Sequence, residues 1–402
     1  MSEFEFYKDL QEEPSERVEE QEVKSRLKKP VRDPKKIALA ALIVLVLAVV
    51  GLAAYRNGTG FDVLRRKMAL ASFPENANGT RGSYSFEQDR LNRYAPLGDG
   101  YLLVVSSKSI QILDGKGSTV YADEVYLDNP VVQYSGGMAV VYDVGGTTLR
   151  WLDRSGELKK IDCTGILAAT LNSEGWLAIT DQTSGYKGAV QIYTPGQEQA
   201  FTFYSSERFV TDACVLPGGK RFAAVTVGQK DGIFISNILI YRLDSIEPES
   251  SYAVEDGYVT HLGTVGDHLS LAADTCLTSL ADDGTFAGSY DYSALYLRDC
   301  DFGGDGFTTL LISRFKSGTL GAVMTVGKDG TVLAAQEMDE EILDISAAGD
   351  YVSVLYKDRV QIYTENMELY AERASGQVSR IFQQEDGTVL AVGTTSAFII
   401  VP

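Results

Sequence analysis

The sequence predicts an all-β domain preceded by one membrane-spanning helix, and three observations lead to this prediction. The run Ile37–Tyr55 is apolar throughout, with no charge and no proline. From about residue 83 onwards, short runs of Val, Ile, Tyr and Phe alternate with Gly- and Asp-containing turns, without a convincing helix of ten or more residues. The turns recur at intervals of about 40 residues, which predicts a repeated supersecondary unit.

Each repeat contains a turn followed by an apolar strand, a next strand with its own signature and, after another turn, a fourth, more polar strand. The apolar strands begin at intervals of 37, 38, 45, 48, 39, 43 and 37 residues, and VQIYT is identical at 190–194 and 360–364. This period is typical of the four-stranded blades of a β-propeller. We therefore predict one propeller of eight blades, with seven as the alternative count. The apolar strands begin at Tyr101, Met138, Trp176, Arg221, Leu269, Thr308, Tyr351 and Thr388.

The two ends of the array predict how the ring closes. The last unit provides only three strands, the third being Ser396–Val401. A strand-like segment, Ser83–Asp89, precedes the first unit and has no partner of its own. Because an open strand edge is a template for pairing, we predict that 83–89 forms the fourth strand of the last blade.

The apolar run is long enough to cross a bilayer, at about 1.5 Å per helical residue against a hydrocarbon core of roughly 30 Å. Seven basic residues precede it within 24–36, and four follow it within 56–67, which favours a cytoplasmic N-terminus. The alternative is a signal peptide cleaved near Gly51-Leu52-Ala53. The predicted domains are a largely disordered cytoplasmic tail (1–36), a transmembrane helix (37–55), a juxtamembrane helix and linker (56–82) and an extracytoplasmic propeller (83–402).

A short amphipathic helix is predicted just after the anchor. Phe61, Leu64, Met68 and Ala71 follow a helical spacing and would lie on one face. We expect this stripe either to lie at the outer membrane surface or to pack under the propeller.

Composition excludes several classes of function. The net charge is −19, almost all of it after residue 36, which argues against binding of nucleic acid or of an anionic surface and is compatible with a cationic partner or Ca²⁺. The four cysteines form no CxxC pair, so we predict buried free thiols, with two disulfides as the alternative. They are Cys163, Cys214, Cys276 and Cys300.

No motif predicts catalysis, a cofactor or a metal site. The only histidines, His261 and His268, lack HExxH or Cys/His company, and a GxSxG nucleophile elbow is missing. Asp299, Asp301 and Asp305 come closest to a Ca²⁺ loop, but an acid is missing at Gly303 and the final Glu is absent. We interpret these residues, and the ADDGT, GKDGT and EDGT sequences, as turn formers.

The whole arrangement resembles a family of uncharacterised membrane-anchored β-propeller proteins from Gram-positive, largely anaerobic, gut-associated bacteria. Residues 343–370 (LDISAAGDYVSVLYKDRVQIYTENMELY) and 383–402 (QQEDGTVLAVGTTSAFIIVP) carry most of the resemblance. It implies a membrane anchor and a complete propeller, and it supplies no activity or site residues. The array is also broadly similar to WD40 and quinoprotein propellers, although it lacks the GH…WD pairs of the former.

Two classes of function follow from these observations. The first is a non-catalytic binding or scaffolding module of the cell envelope, with an envelope protein as its partner and the membrane contacted through Ile37–Tyr55. The second is a tethered hydrolase or lyase that acts on wall or dietary polymers. The scarcity of histidine and of catalytic motifs favours the first. Specificity would then lie in the loops where the repeat spacing stretches, namely Gly185–Gly188, Gln229–Ile233 and Ser245–Gly257.

Overall fold

The computed structural model describes residues 34–56, 62–254, 257–316 and 320–402. The chain divides into two units, Met1–Gly60 and Phe61–Pro402. Helix α1 (Pro34–Arg56) is the described part of the first unit, and its described Leu, Ile and Val side chains are exposed. Within the described residues, no helix has the length and apolar character of a membrane span. The predicted tail lies, up to residue 33, outside the described residues.

The second unit begins with helix α2 (Asp62–Ala69) and a 3-10 turn (Leu70–Ser72), which are followed by 32 strands. The strands form eight antiparallel sheets of four strands each, which confirms the prediction of eight blades over seven. The first strands of most neighbouring blades contact one another, which places the fourth strands outermost.

The first strand of the chain, β1 (Arg81–Ser85), belongs to the last blade. Blades 1 to 4 contain, from first strand to fourth, β2 (Arg93–Pro96), β3 (Leu102–Val105), β4 (Ser109–Leu113) and β5 (Thr119–Glu124); β6 (Pro130–Ser135), β7 (Met138–Asp143), β8 (Thr148–Asp153) and β9 (Gly156–Asp162); β10 (Ile166–Leu171), β11 (Leu177–Asp181), β12 (Gly188–Tyr193) and β13 (Gln199–Ser205); and β14 (Phe209–Val215), β15 (Arg221–Lys230), β16 (Ile233–Arg242) and β17 (Pro248–Ala253).

Blades 5 to 8 continue the same order. They contain β18 (Val259–Val265), β19 (His268–Ala273), β20 (Cys276–Ala281) and β21 (Phe286–Asp291); β22 (Tyr296–Asp301), β23 (Phe307–Ser313), β24 (Ala322–Gly327) and β25 (Val332–Glu337); β26 (Asp344–Ala348), β27 (Tyr351–Leu355), β28 (Arg359–Thr364) and β29 (Leu369–Ala374); and β30 (Arg380–Gln383), β31 (Val389–Val392), β32 (Ser396–Ile400) and then β1.

The ring closes as predicted, because β1 pairs antiparallel with β32. The observed strand begins at Arg81 and ends at Ser85, so the predicted segment 83–89 is shifted by a few residues and its last part leads into blade 1. Tyr84 is only 1% exposed, and its hydroxyl donates to the carbonyl oxygen of Gly100 in blade 1 at 2.5 Å. The seam between the last and first blades is therefore held by a buried aromatic side chain as well as by backbone pairing.

Apolar packing between blades accounts for the ring. The described residues contain eight hydrophobic clusters, and each joins one blade to the next. At the seam, for example, Leu390 and Ile399 of blade 8 pack with Leu102 and Val104 of blade 1. Burial at roughly 25 cal/mol per Å² of apolar surface makes each of these interfaces a stabilising contact.

Antiparallel strand order gives the propeller two distinct faces. The turns between first and second strands, and between third and fourth strands, lie on what is called here the lower face. The connections between second and third strands, and those between blades, lie on the upper face. The interpretation of the repeated Asp-Gly sequences as turns is confirmed, since Asp283 accepts from Thr285 and Asp329 accepts from Thr331.

Helix α2 is attached to the lower face of blade 7 by polar contacts. Asp62 accepts from the Tyr351 hydroxyl at 2.9 Å, and Nη2 of the buried Arg66 donates to the Tyr370 hydroxyl at 2.7 Å. Met68, by contrast, is 73% exposed, so packing under the propeller is excluded for this member of the predicted stripe. The sequence pattern missed the packed face because that face is polar.

Phe73, just after the 3-10 turn, contacts blade 1. A Cβ atom on Gly100 would lie 2.4 Å from the Phe73 ring, and one on Gly115 would lie 2.6 Å from it. Only glycine leaves room for the ring at these two turns. The segment that precedes β1 therefore contacts both neighbours of blade 8, across the seam.

Candidate functional site

Two of the three predicted loops lie near each other on the upper face. Gly185–Gly188 covers the second half of the connection between β11 and β12 in blade 3 and the first residue of β12, and Gln229–Ile233 forms the tip of the β15–β16 hairpin in blade 4. The prediction of a third loop at Ser245–Gly257 is wrong, because Pro248–Ala253 is the fourth strand of blade 4. The stretched spacing there comes from the long hairpin and not from a loop.

The hairpin β15–β16 projects beyond the body of blade 4. Its strands have ten residues each and pair from Arg221↔Arg242 to Lys230↔Ile233. The neighbouring first strand pairs with β15 only as far as Val227, and the fourth strand pairs with β16 only from Asn237 onwards. In each hairpin strand, the three residues nearest the tip extend beyond the neighbouring first and fourth strands. At about 3.3 Å per residue, this projection is roughly 10 Å long.

Exposed aromatic and aliphatic side chains cover this part of the upper face. Ile233 is 59% exposed and Phe234 is 66% exposed, although both belong to a strand. Exposed apolar side chains grouped in this way mark interaction sites more often than chance. The group, called here the tip surface, consists of Tyr186, Tyr204, Phe209, Ile233 and Phe234.

Two contacts within blade 3 and one between blades 3 and 4 hold part of the tip surface in place. The rings of Tyr186 and Tyr204 are 4.9 Å apart, and Lys187 Nζ lies 5.3 Å from the centre of the Phe209 ring. The backbone N–H of Lys187 donates to Ser205 at 2.7 Å. Aromatic side chains fixed by their neighbours lose little conformational entropy on binding, which suits them to a recognition surface.

The first strands of blades 3 to 6 differ from those of the other blades. Each of these four consecutive strands contains a β-bulge near its upper end, after Ile166, Val210, Val259 and Leu297 respectively, whereas the first strands of blades 1, 2, 7 and 8 are regular. A bulge re-aims the side chain that follows it. The residues after the bulges include Asp212, His261 and Asp299.

Asp212 is held between blades 3 and 4. Its carboxylate accepts from the Thr170 hydroxyl at 3.0 Å and from the backbone N–H of Ala213 at 2.7 Å. Burial raises the pKa of Asp212 to about 6, against the lowering effect of these hydrogen bonds. Both hydrogen bonds end on Oδ1, so one oxygen of this carboxylate joins the two blades.

Both histidines lie on strands of blade 5. His261 is exposed on the first strand of blade 5, and its Nδ1 is 3.0 Å from the Thr260 hydroxyl. His268 begins β19, with Nδ1 2.7 Å from Asp267. The two residues belong to neighbouring strands and have different partners, so no catalytic pair forms between them.

The acidic residues compared with a Ca²⁺ loop are spread over different elements. Asp299 and Asp301 lie on β22, and Asp305 lies in the next turn. Asp301 accepts from the backbone N–H of Gly303 at 2.7 Å, as a turn former does. Within the described ranges, no three His, Cys, Asp or Glu side chains are grouped to hold a metal ion.

The cysteines are free thiols, in agreement with the prediction of unpaired cysteines. Cys214 is buried, and the other three are half-buried. Burial raises the pKa of the Cys163 thiol to about 12. A thiol with a raised pKa is a poor nucleophile, which favours a structural role for Cys163.

The loops predicted from the sequence include Ile233 and Tyr186. They do not include Tyr204, Phe209 and Phe234, which also belong to the tip surface. These three residues lie in strands, where an aromatic side chain normally indicates packing. One sequence feature does indicate the hairpin, because the apolar runs around it are longer than those of the other repeats.

Comparisons with known proteins agree with the fold. A family of unknown function (DUF5711) matches residues 77–272, just under half of the chain. No curated protein sequence matches. Among solved structures, the C-terminal WD40 domain of Sif2 has 14% identity and a TM-score of 0.57, covering 80% of this chain and 98% of that one. BamB from Moraxella catarrhalis has 13% identity and a TM-score of 0.51, covering 81% and 99%. At such low identity, these likenesses show the propeller fold alone.

Proposed function

We propose that this protein is a membrane-tethered, extracytoplasmic binding or scaffolding module of the cell envelope that does not catalyse a reaction. The observation that carries the proposal is the projecting hairpin, which places Ile233 and Phe234 in solvent at the end of a regular two-stranded sheet. An exposed strand with apolar side chains is a liability unless it has a partner. The occupant of the tip surface is accordingly an envelope protein.

The proposed tether is Ile37–Tyr55. The described side chains of α1 on all sides of the helix, among them Leu39, Ile43, Val46 and Val50, are apolar and exposed. A helix that is apolar all round is suited to lipid, whereas a water-soluble helix keeps a polar face. The excess of basic residues before the helix supports a cytoplasmic N-terminus.

This topology is testable by protease treatment of intact protoplasts that carry the full-length protein with a tag at its N-terminus. We expect the propeller to be accessible to protease and the tag to be protected. Cleavage of the tag with a protected propeller would contradict the orientation. A mature chain that starts near Ala54 would contradict the tether.

The partner is testable by crosslinking of the full-length protein in intact cells, followed by mass spectrometry. We expect one recurrent envelope protein to be captured by the wild type and lost from the Phe234→Ser variant. The matched control is Phe286→Ser, which removes a similarly exposed phenylalanine from the outermost strand of blade 5. Equal capture by the wild type and by Phe234→Ser would contradict the assignment of the tip surface.

The competing hydrolase or lyase function makes a different prediction. Turnover of wall polysaccharide or peptide by the purified protein, abolished by a single carboxylate substitution, would overturn a non-catalytic role. Among the described acids on the first strands, Asp212 and Asp301 each use one oxygen for hydrogen bonds that join or shape the blades, which favours a structural role for them.

A further inference from the structure

A polar cleft opens on the upper face at the seam of the ring. It has a volume of about 410 Å³, within the range of roughly 300–1,000 Å³ typical of small-molecule sites. Its walls come from the connection between β1 and β2, from the beginnings of β2 and β30, and from the connection between β31 and β32. The cleft is on the opposite side of the ring from the tip surface and is independent of it.

Arg93 is the first residue of β2 and lines this cleft. Its Nη1 donates to the carbonyl oxygens of Leu91 at 3.4 Å and Asn92 at 3.1 Å. Among the described residues, no carboxylate lies within salt-bridge distance of Arg93, and its Nε and Nη2 groups have no hydrogen-bond acceptor. One edge of this guanidinium is therefore uncommitted.

Arg380 is the first residue of β30 and lines the same cleft. Its Nη1 donates to the buried carboxylate of Asp344 at 2.6 Å. The Arg380 side chain is 58% exposed, whereas that of Asp344 is 6% exposed, so a ligand in the cleft would meet Arg380 first. Within the described part of the chain, its Nε and Nη2 groups are again without an acceptor.

The edge formed by Nε and Nη2, which is uncommitted in Arg93 and Arg380, binds a carboxylate elsewhere in this protein. Arg242 donates from Nε to one oxygen of Asp244 at 2.8 Å and from Nη2 to the other at 2.7 Å. This fork matches the two oxygens of a carboxylate and gives a bidentate, charge-assisted contact. Arg93 and Arg380 each present the same Nε and Nη2 pair without a partner.

One acid, Asp89, also lines the cleft. Its carboxylate accepts from the backbone N–H groups of Leu91 and Ser107 and from the Ser107 hydroxyl, and these bonds lower its pKa. Asp89 is therefore charged at neutral pH and repels an anion placed next to it. A ligand must accordingly direct its carboxylate towards the arginines and away from this end of the cleft, which gives the site a polarity.

We propose that the seam cleft binds a small carboxylic acid, with Arg93 and Arg380 as the residues that hold its carboxylate. Two guanidinium edges in one cleft suit a dicarboxylate better than a monocarboxylate. Ligand size is limited by the volume of the cleft, and the ring itself provides a rigid frame. The site differs from the tip surface in both chemistry and location, so it adds a second ligand to the proposed partner protein.

The test uses the full-length protein in detergent, with succinate, acetate and inorganic phosphate titrated separately by calorimetry. We expect succinate to bind most tightly, and Arg93→Gln to raise its Kd by about tenfold, which corresponds to the loss of one charge-assisted contact. Arg93→Lys keeps the charge but lacks the fork, so it should also weaken succinate binding. Arg314→Gln is the matched control, because it removes an exposed arginine from another blade and should leave the Kd unchanged.

Three results would overturn the proposal. The first is that neither carboxylate binds to the wild type. The second is an equal Kd for the wild type and Arg93→Gln. The third is phosphate binding that is at least as tight as succinate binding and that persists in Arg93→Lys, which would indicate a site that recognises charge alone.

Thermal unfolding of each variant without ligand shows whether a lost affinity reflects a lost fold. Capture of the envelope partner by Arg93→Gln should be unchanged, so this test and that of the tip surface fail separately.

Discussion

Blade 8 and blade 4 have the same four-stranded plan and opposite uses of it. In blade 8, no strand exceeds five residues, and its aromatic side chain Tyr84 is fully buried at the seam. In blade 4, two strands reach ten residues, and Phe234 stands in solvent at their end. If the proposed function is correct, stability and recognition depend on different blades. Mutations at one should leave the other intact.

The largest effect is expected from Tyr84→Ala at the seam. Loss of a fully buried aromatic side chain leaves a cavity and should lower the free energy of unfolding by about 3–5 kcal/mol. Tyr84→Phe removes only the hydrogen bond to Gly100 and should cost about 1 kcal/mol. Denaturant unfolding of the two purified variants measures the difference. Similar losses in both would show that the hydroxyl, and not the ring, holds the seam.

A smaller effect, an increase in the free energy of unfolding, is expected from Asp212→Asn in the first strand of blade 4. Because the folded-state pKa of Asp212 is raised from 3.8 to about 6, the stability from this group is complete below pH 4 and is lost as the pH rises through 6. An asparagine keeps the acceptor for Thr170 and Ala213 without the buried charge. The variant should be more stable than the wild type by about 1–3 kcal/mol at pH 7, which corresponds to the size of the shift.

The pH dependence is the control for this prediction. The advantage of Asp212→Asn should shrink as the pH is lowered from 7 towards 4, where the wild-type carboxyl is protonated in the folded state. Unfolding measured at both pH values tests this. An advantage of equal size at pH 4 would attribute the effect to packing.

The contact of α2 next to the seam should have an intermediate effect. Arg66→Ala removes the hydrogen bond to Tyr370 and the packing of a buried side chain, and should lower the free energy of unfolding by about 1–2 kcal/mol. Arg65→Ala, at the exposed neighbouring position, is the matched control and should change it by less than about 0.5 kcal/mol. Equal values for the two variants would mean that the contact of α2 with blade 7 does not contribute to stability.

The smallest effect on stability is expected at the hairpin tip. Phe234→Ser removes a side chain that is already exposed, so the free energy of unfolding should change by less than about 0.5 kcal/mol. The same variant should lose its envelope partner in the crosslinking experiment. A large loss of stability would place Phe234 with Tyr84 and remove the contrast between the two blades.

Most of the ring could be predicted from the sequence because its turns are local. The Asp-Gly pairs form turns with hydrogen bonds between neighbouring residues, so their spacing directly reports the number of blades. Closure could be predicted as well, since the last unit lacks one strand and Ser83–Asp89 lacks a partner. The strand boundary was less accurate, because Arg81 pairs only through a bulge that the pattern does not show.

Contacts between distant residues could not be predicted. Asp143 accepts from the backbone N–H groups of Asp128 and Asn129, and Asp181 accepts from those of Thr164 and Gly165, so both fix connections between blades. The acids end the strands VVYD and AITD, a shared position that becomes meaningful only once the register is known. Arg93 and Arg380 likewise belong to opposite ends of the propeller sequence and line one cleft only because the ring closes.

The pairing of β1 with β32 has a consequence for biosynthesis. Ser85 leaves the ribosome more than 300 residues before Ser396, its partner in the closed ring. At about 5–20 residues per second, β1 waits for tens of seconds with an unpaired edge while the other seven blades are made. During that interval the nascent chain presents open strand edges to other proteins, and a chain that terminates before Ser396 would leave β1 without its partner strand.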